Sequence, residues 1–160
     1  YALHDYFGNL LGKPDATNDC RSSACNTTTG YWGNGEYNVY KYYNLKMTGK
    51  RVQTVGSKDN LFDVYATTAS KKSVKILGGS RLKSGTWAIA IKGLGSFHLP
   101  SKGYVTVRTY QFPFTDGRFG NVPAAKDLGT KRLAYSGGQV ILNVSPDETT
   151  AYAFELAFSI

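Results

Sequence analysis

A chain of 160 residues is most simply one domain, and it can bury roughly 70% of its unfolded surface, so it needs neither a metal nor a disulfide to fold. With 41% apolar and 19% charged residues it has the make-up of a globule, and no apolar run is long enough to span a bilayer. The net charge of +8 is dispersed. Its densest group is Lys71, Lys72 and Lys75 followed by Arg81 and Lys83, with no run of five like charges, so it reads as a solvated basic surface and nucleic acid is not an expected partner.

Residues 1–11 place Leu3, Tyr6, Phe7, Leu10 and Leu11 on one helical face, and Gly12 and Pro14 end that helix. Residues 13–30 read as a polar loop. It holds both cysteines of the chain, Cys20 and Cys25, whose spacing suits a local disulfide worth about 2 kcal/mol in the chain-entropy model. Such bridges persist in oxidising compartments. No metal or other cofactor is expected, because no second Cys or His pair stands at ligand spacing and His4 and His98 are isolated. Asn26-Thr27-Thr28 and Asn143-Val144-Ser145 permit N-glycosylation. Together with a start at Tyr1 these features imply a secreted protein, either processed or a fragment.

The stretch Tyr31 to Val52 predicts an aromatic helix over about residues 35–48 that runs directly into a strand. Asn34 can cap it, Glu36 suits its positive end, and Gly49 supplies a left-handed stop. Tyr40, Tyr43 and Met47, flanked by Val39 and Tyr42, form one broad apolar face expected to turn to the core.

From Arg51 the period becomes two. Strands are expected at 51–55, 61–68, 73–77, 86–94, 104–112, 131–135, 139–144 and near 150–160. In 86–94 Trp87, Ile89 and Ile91 alternate with Ala88 and Ala90, and in the last strand Tyr152, Phe154, Leu156 and Phe158 recur at every second residue. Seven to eight short strands with turn residues between them, preceded by two short helices, define a mainly β chain built as an antiparallel β-sandwich. It reads as a single domain, 1–160, in which a helical and loop segment, 1–48, packs on the sandwich, 49–160.

Little here supports catalysis. Two-carboxylate chemistry has only Glu36, Glu148 and Glu155 among the glutamates, set in a helix start, a turn and a strand, with Asp63 and Asp116 elsewhere. A hydrolytic triad would need His4 or His98, and no nucleophile-elbow pattern precedes a helix. What remains is binding. Sugar C–H faces stack on aromatic rings while hydroxyls bond to polar side chains. Two segments offer that combination: Tyr31, Trp32 and Tyr37 beside Asn34, and the long loop with Phe112, Phe114, Asp116, Arg118 and Asn121. The same aromatic residues also suit packing inside the fold.

The run Tyr40-Lys41-Tyr42-Tyr43, Met47-Thr48-Gly49 and Arg51-Val52, followed by Phe62-Asp63-Val64-Tyr65-Ala66, Val74-Lys75-Ile76-Leu77-Gly78 and Ile91-Lys92-Gly93-Leu94, resembles the C-terminal region of fungal retaining glycoside hydrolases with a (β/α)₈ barrel, such as those of glycoside hydrolase family 39. That resemblance covers residues 31–160 and marks an accessory sandwich. The catalytic glutamates of such enzymes lie on barrel strands that this chain lacks, so the resemblance implies a carbohydrate context without hydrolysis. Three roles are consistent with it: a secreted lectin or carbohydrate-binding module for a glycan or cell-wall polysaccharide, a structural domain seated on a hydrolase barrel through the Tyr-rich helix, or a basic polyanion binder.

Overall fold

The computed structural model describes residues 10–12, 32–70, 72–81, 83–114 and 122–158. They fall into two units, Tyr1–Lys46 with Phe112–Lys126, and Met47–Gln111 with Asp127–Ile160.

In the first unit two short strands, β1 (Leu11–Gly12) and β2 (Trp32–Gly33), pair antiparallel with Leu11 opposite Gly33. The expected N-terminal helix therefore does not reach Leu11, whose backbone is committed to this pairing; residues 1–9 lie outside the described residues. The aromatic helix forms as α1 (Gly35–Lys46). Asn34 caps it: the Tyr37 N–H donates to Asn34 Oδ1 at 2.9 Å, while the Asn34 N–H donates to the Leu10 carbonyl at 3.0 Å.

The second unit carries strands β3 (Lys50–Val52), β4 (Phe62–Ser70), β5 (Ser73–Ser80), β6 (Trp87–Ile91), β7 (Gly103–Phe112), β8 (Lys126–Tyr135), β9 (Val140–Val144) and β10 (Ala151–Phe158), of which only the end residues Phe112 and Lys126 are counted with the first. One sheet has the order β3-β4-β5-β10-β7-β8, and a second contains β6 and β9. Antiparallel registers set Tyr65 opposite Leu77, Phe154 opposite Ile76, and Ile89 opposite Leu142. Gly49, at φ 98°, turns the chain into β3 where a side chain would collide with the Thr68 carbonyl.

The alternations read from the sequence decide which residues face inward. Trp87, Ile89 and Ile91 point into the core while Ala88 and Ala90 are exposed, and Phe154, Leu156 and Phe158 are buried from β10. Ile76, Val105, Val107, Val140 and Leu142 complete a core shared by the two sheets, and Leu94 on a short 3-10 turn (Leu94–Phe97) closes one end. The chain is thus a mainly β sandwich, with one α-helix among the described residues where two were expected.

Strand β8 begins at Lys126, earlier than the expected 131. It lies at the edge of its sheet and is exposed along most of its length, so it needs no apolar alternation to form.

Candidate functional site

The two segments that offered aromatic binding residues meet in the first unit. The Phe114 ring lies against Gly35 at the start of α1, so closely that a Cβ there would come within 2.8 Å of it. The Asn38 amide donates to the Pro123 carbonyl at 3.1 Å and to the Val122 carbonyl at 3.4 Å. The Val122 N–H donates to the Gly33 carbonyl at 3.5 Å. One turn further along α1, Tyr42 meets Phe112 edge-on, with ring centroids 5.4 Å apart.

This convergence sorts the nominated residues. Phe112 is only 2% exposed and is therefore a packing residue with no open ring face. The Tyr37 ring sits over the Gly33 backbone, and the Lys41 ammonium stands 5.9 Å from its centroid. Phe114 is 42% exposed. Trp32 contributes its backbone to β2. Tyr31, Asp116, Arg118 and Asn121 lie outside the described residues, as do Cys20, Cys25 and the Asn26 sequon. Asn143, in the second sequon, is exposed on β9 opposite Ala88.

The polar groups beside Phe114 are already engaged. Asn34 Oδ1 holds the helix cap and the Asn38 amide holds two carbonyls. A sugar hydroxyl would have to displace these bonds.

The chief departure from expectation is α1 itself. Its apolar residues do not share one core-facing stripe. Tyr42 is buried, whereas Tyr40 is 60%, Tyr43 44% and Leu45 59% exposed. The signal was present in the sequence: apolar residues at 37, 39, 40, 42, 43 and 45 run around most of the helix circumference, more than one buried stripe can hold.

A second group of aromatic and charged residues spreads along the second unit. Arg132 stands 4.0 Å from the Tyr104 ring centroid, Arg108 5.4 Å from that of Tyr110, and Arg51 5.5 Å from that of Tyr65. Arg108 also donates from Nε to Asp127 Oδ2 at 3.0 Å, and the Gly129 N–H donates to Asp127 Oδ1 at 2.9 Å. These bonds hold the Asp127 carboxyl below its ordinary range and push the Arg108 guanidinium up. Burial, then Glu155, raises the Tyr110 hydroxyl. Lys75 pairs with Glu155 at 3.6 Å. Arg108 and Lys75 are thus paired with carboxylates, while Arg51 and Arg132 lie against tyrosine rings.

Among the described residues no cluster of three or more His, Cys, Asp or Glu could hold a metal ion, and no helix is long and apolar enough to cross a membrane.

No protein-family model and no curated protein matches the chain. Its fold does recur in solved structures. It is similar to N2152 from Neocallimastix frontalis, with a TM-score of 0.66 and 21% identity over 80% of this chain and 31% of that one. A glucosidase from Croceicoccus marinus aligns with a TM-score of 0.54 and 15% identity, over 79% of this chain and 32% of its own. A Paenibacillus polymyxa xyloglucanase of glycoside hydrolase family 44 aligns with a TM-score of 0.50 and 20% identity, over 78% of this chain and 23% of its own. At such identities the likeness is one of fold. The chain spans less than a third of each of these structures, so the glycoside hydrolases among them carry this sandwich as a minor part.

Proposed function

We propose that this chain is the non-catalytic β-sandwich portion of a secreted glycoside hydrolase of the family 39 type, seated on the catalytic body through α1. The observation that carries this reading is the exposure of Tyr40, Tyr43 and Leu45 on a helix that buries chiefly Tyr42. Exposed large apolar side chains on a short helix, Tyr40 and Leu45 above all, suit an interface with a partner. The occurrence of the same fold as a minor part of longer glycoside hydrolases supplies the class of partner.

Asp59, Asp127 and Asp147 are each held below the ordinary range by hydrogen bonds, so none of these three is tuned as a general acid. A glycan-binding role is the second reading, favoured by exposed Tyr104 with Arg132 against its ring.

The test is the pair of substitutions Tyr40→Lys and Tyr43→Lys made together. The expected result is a fall in binding of an apolar reporter dye with stability changed by no more than about 0.5 kcal/mol. Unchanged dye binding would sink the docking reading. Hydrolysis of any polysaccharide by the purified chain would sink the non-catalytic one. Salt-resistant retention on a single glycan, lost in Tyr104→Ala, would transfer the function to the second reading.

A further inference from the structure

The registers fix which residues share an end of the six-stranded sheet. Lys50 pairs with Thr68, Ser70 with Ser73, and Ala157 with Ser73, so the start of β3, the β4–β5 turn and the end of β10 lie together. The Lys72 carbonyl in that turn accepts the Phe158 N–H at 2.9 Å. The Gln111 amide donates to Tyr152 Oη at 3.1 Å, which sets the last turn of β7 beside the start of β10 and brings the start of β7 to the same end as Phe158. Tyr135 meets Phe158 edge-on at 6.4 Å, which adds the end of β8.

Charge divides between the two ends. Lys50 and Arg51 on β3, Lys72 in the turn, Lys102 before β7, and Lys131 and Arg132 on β8 share the end just described, all exposed. Among the described residues none of the six stands in an ion pair. The second unit has six acidic side chains, and five of them, Asp59, Asp63, Asp127, Asp147 and Glu148, precede or open β4, β8 and β10, at the opposite end. The sixth, Glu155, is met by Lys75 at 3.6 Å.

Strands are about 4.8 Å apart, so the row crosses about 24 Å from β3 to β8 with no lateral gap wider than about 10 Å. That gap is close to the Debye length at physiological salt, about 8 Å, so neighbouring fields add. Basic residues on edge strands also deter stray pairing, which accounts for those on β3 and β8. Lys72 and Lys102 stand in a turn and a bend, where no edge needs guarding. A like-charged row whose counter-charges are placed at the far end opposes folding and suits an anionic partner.

The chemistry of the row selects the anion. The Arg132 and Arg51 guanidinium groups stand 4.0 and 5.5 Å from the ring centroids of Tyr104 and Tyr65. A guanidinium against a ring keeps N–H donors for a planar carboxylate, which accepts two of them at once. A nucleic acid strand gains most from open aromatic faces for its bases, and each of these two rings already carries a cation.

We propose that this end of the large sheet binds an anionic polysaccharide whose sugars carry carboxylates, laid across the strands from β3 to β8. Arg132 and Arg51 hold its carboxylates, and Lys50, Lys72, Lys102 and Lys131 supply the field that draws it in. A saccharide as the source of the charge rests on the glycoside hydrolase reading above; the division of charge does not.

The test is retention of the 160-residue chain by polygalacturonate in affinity electrophoresis, with the fully methyl-esterified polymer as its uncharged twin. Lys102→Glu with Arg132→Glu reverses two charges in the row, and Arg81→Glu with Lys83→Glu reverses two exposed charges outside it. The expected result is retention by the acid polymer alone, weakened about tenfold between about 50 and 200 mM salt. The first variant should weaken it about tenfold and the second much less. Equal loss in both variants, equal retention by the ester, retention that resists salt, or no retention overturns the proposal. Tighter binding of a single-stranded oligonucleotide or of phosphatidylserine vesicles, lost in the first variant, assigns the row to nucleic acid or membrane and also overturns it. The reporter-dye test of Tyr40→Lys with Tyr43→Lys separates the two readings. Polygalacturonate retention with unchanged dye binding sinks only the docking function; no retention with the expected dye loss sinks only this surface.

Discussion

Trp87 lies nearly parallel to Phe62, with ring centroids 5.1 Å apart and planes 15° from one another. This stack joins β6 of the small sheet to β4 of the large one. Trp87→Ala is expected to cost about 3 kcal/mol in chemical denaturation. A double-mutant cycle with Phe62→Leu should return a coupling of about 1 kcal/mol, separating ring stacking from simple area burial. Additive effects would mean that the rings are neighbours without mutual stabilisation.

The cap on α1 is a separable contribution. Asn34→Ala removes the oxygen that accepts the Tyr37 N–H and should destabilise the chain by about 1 kcal/mol, measured from the urea midpoint. Asn34→Asp should retain the cap. A loss equal to that of alanine would show that the amide, and not the accepting oxygen, matters.

Much of this was legible in the chain. Strand positions followed from period-two alternation because each strand has one face in the core, as in Trp87-Ile89-Ile91 and Phe154-Leu156-Phe158. Asn34 and Gly49 were readable because capping and left-handed turns are local chemistry. Two features failed for a shared reason. Lys126 to Thr130 and the outward side of α1 are not organised by burial in this chain, so hydrophobic periodicity carries no information about them. The candidate binding residues were hardest, since an aromatic ring reads alike whether it is wholly packed, as Phe112 is, or keeps part of its surface exposed, as Phe114 does.

Thr67 offers a prediction of gain. Its Oγ1 is buried and makes no hydrogen bond among the described residues. A hydroxyl taken from water without a partner destabilises the folded state. Thr67→Val keeps the β-branched shape suited to β4 and should stabilise by about 1 kcal/mol, a rise in Tm of about 3 °C for a chain of this size. A fall in Tm would reveal an ordered water or other partner on that oxygen.

Acid should weaken the fold through named carboxylates. Asp127 is lowered by Arg108 and the Gly129 N–H, Asp59 by Ser57 and the Leu61 N–H, and Asp147 by Thr150 and the Thr149 N–H. A carboxyl whose folded pKa lies below its unfolded value contributes stability that is fully present above about pH 4 and is lost as pH falls through the folded value. The Tm should therefore be level from neutral pH to about 5 and decline below about 4. Asp127→Asn should lower the Tm at neutral pH and flatten the decline, because the Arg108 pairing no longer titrates. Each of these sites is at the surface, so added salt should shrink the effect of the Arg108 pair more than that of the backbone-bonded turns. A decline as steep in Asp127→Asn as in the parent would assign the acid sensitivity to Asp59 and Asp147, in the turns that precede β4 and β10.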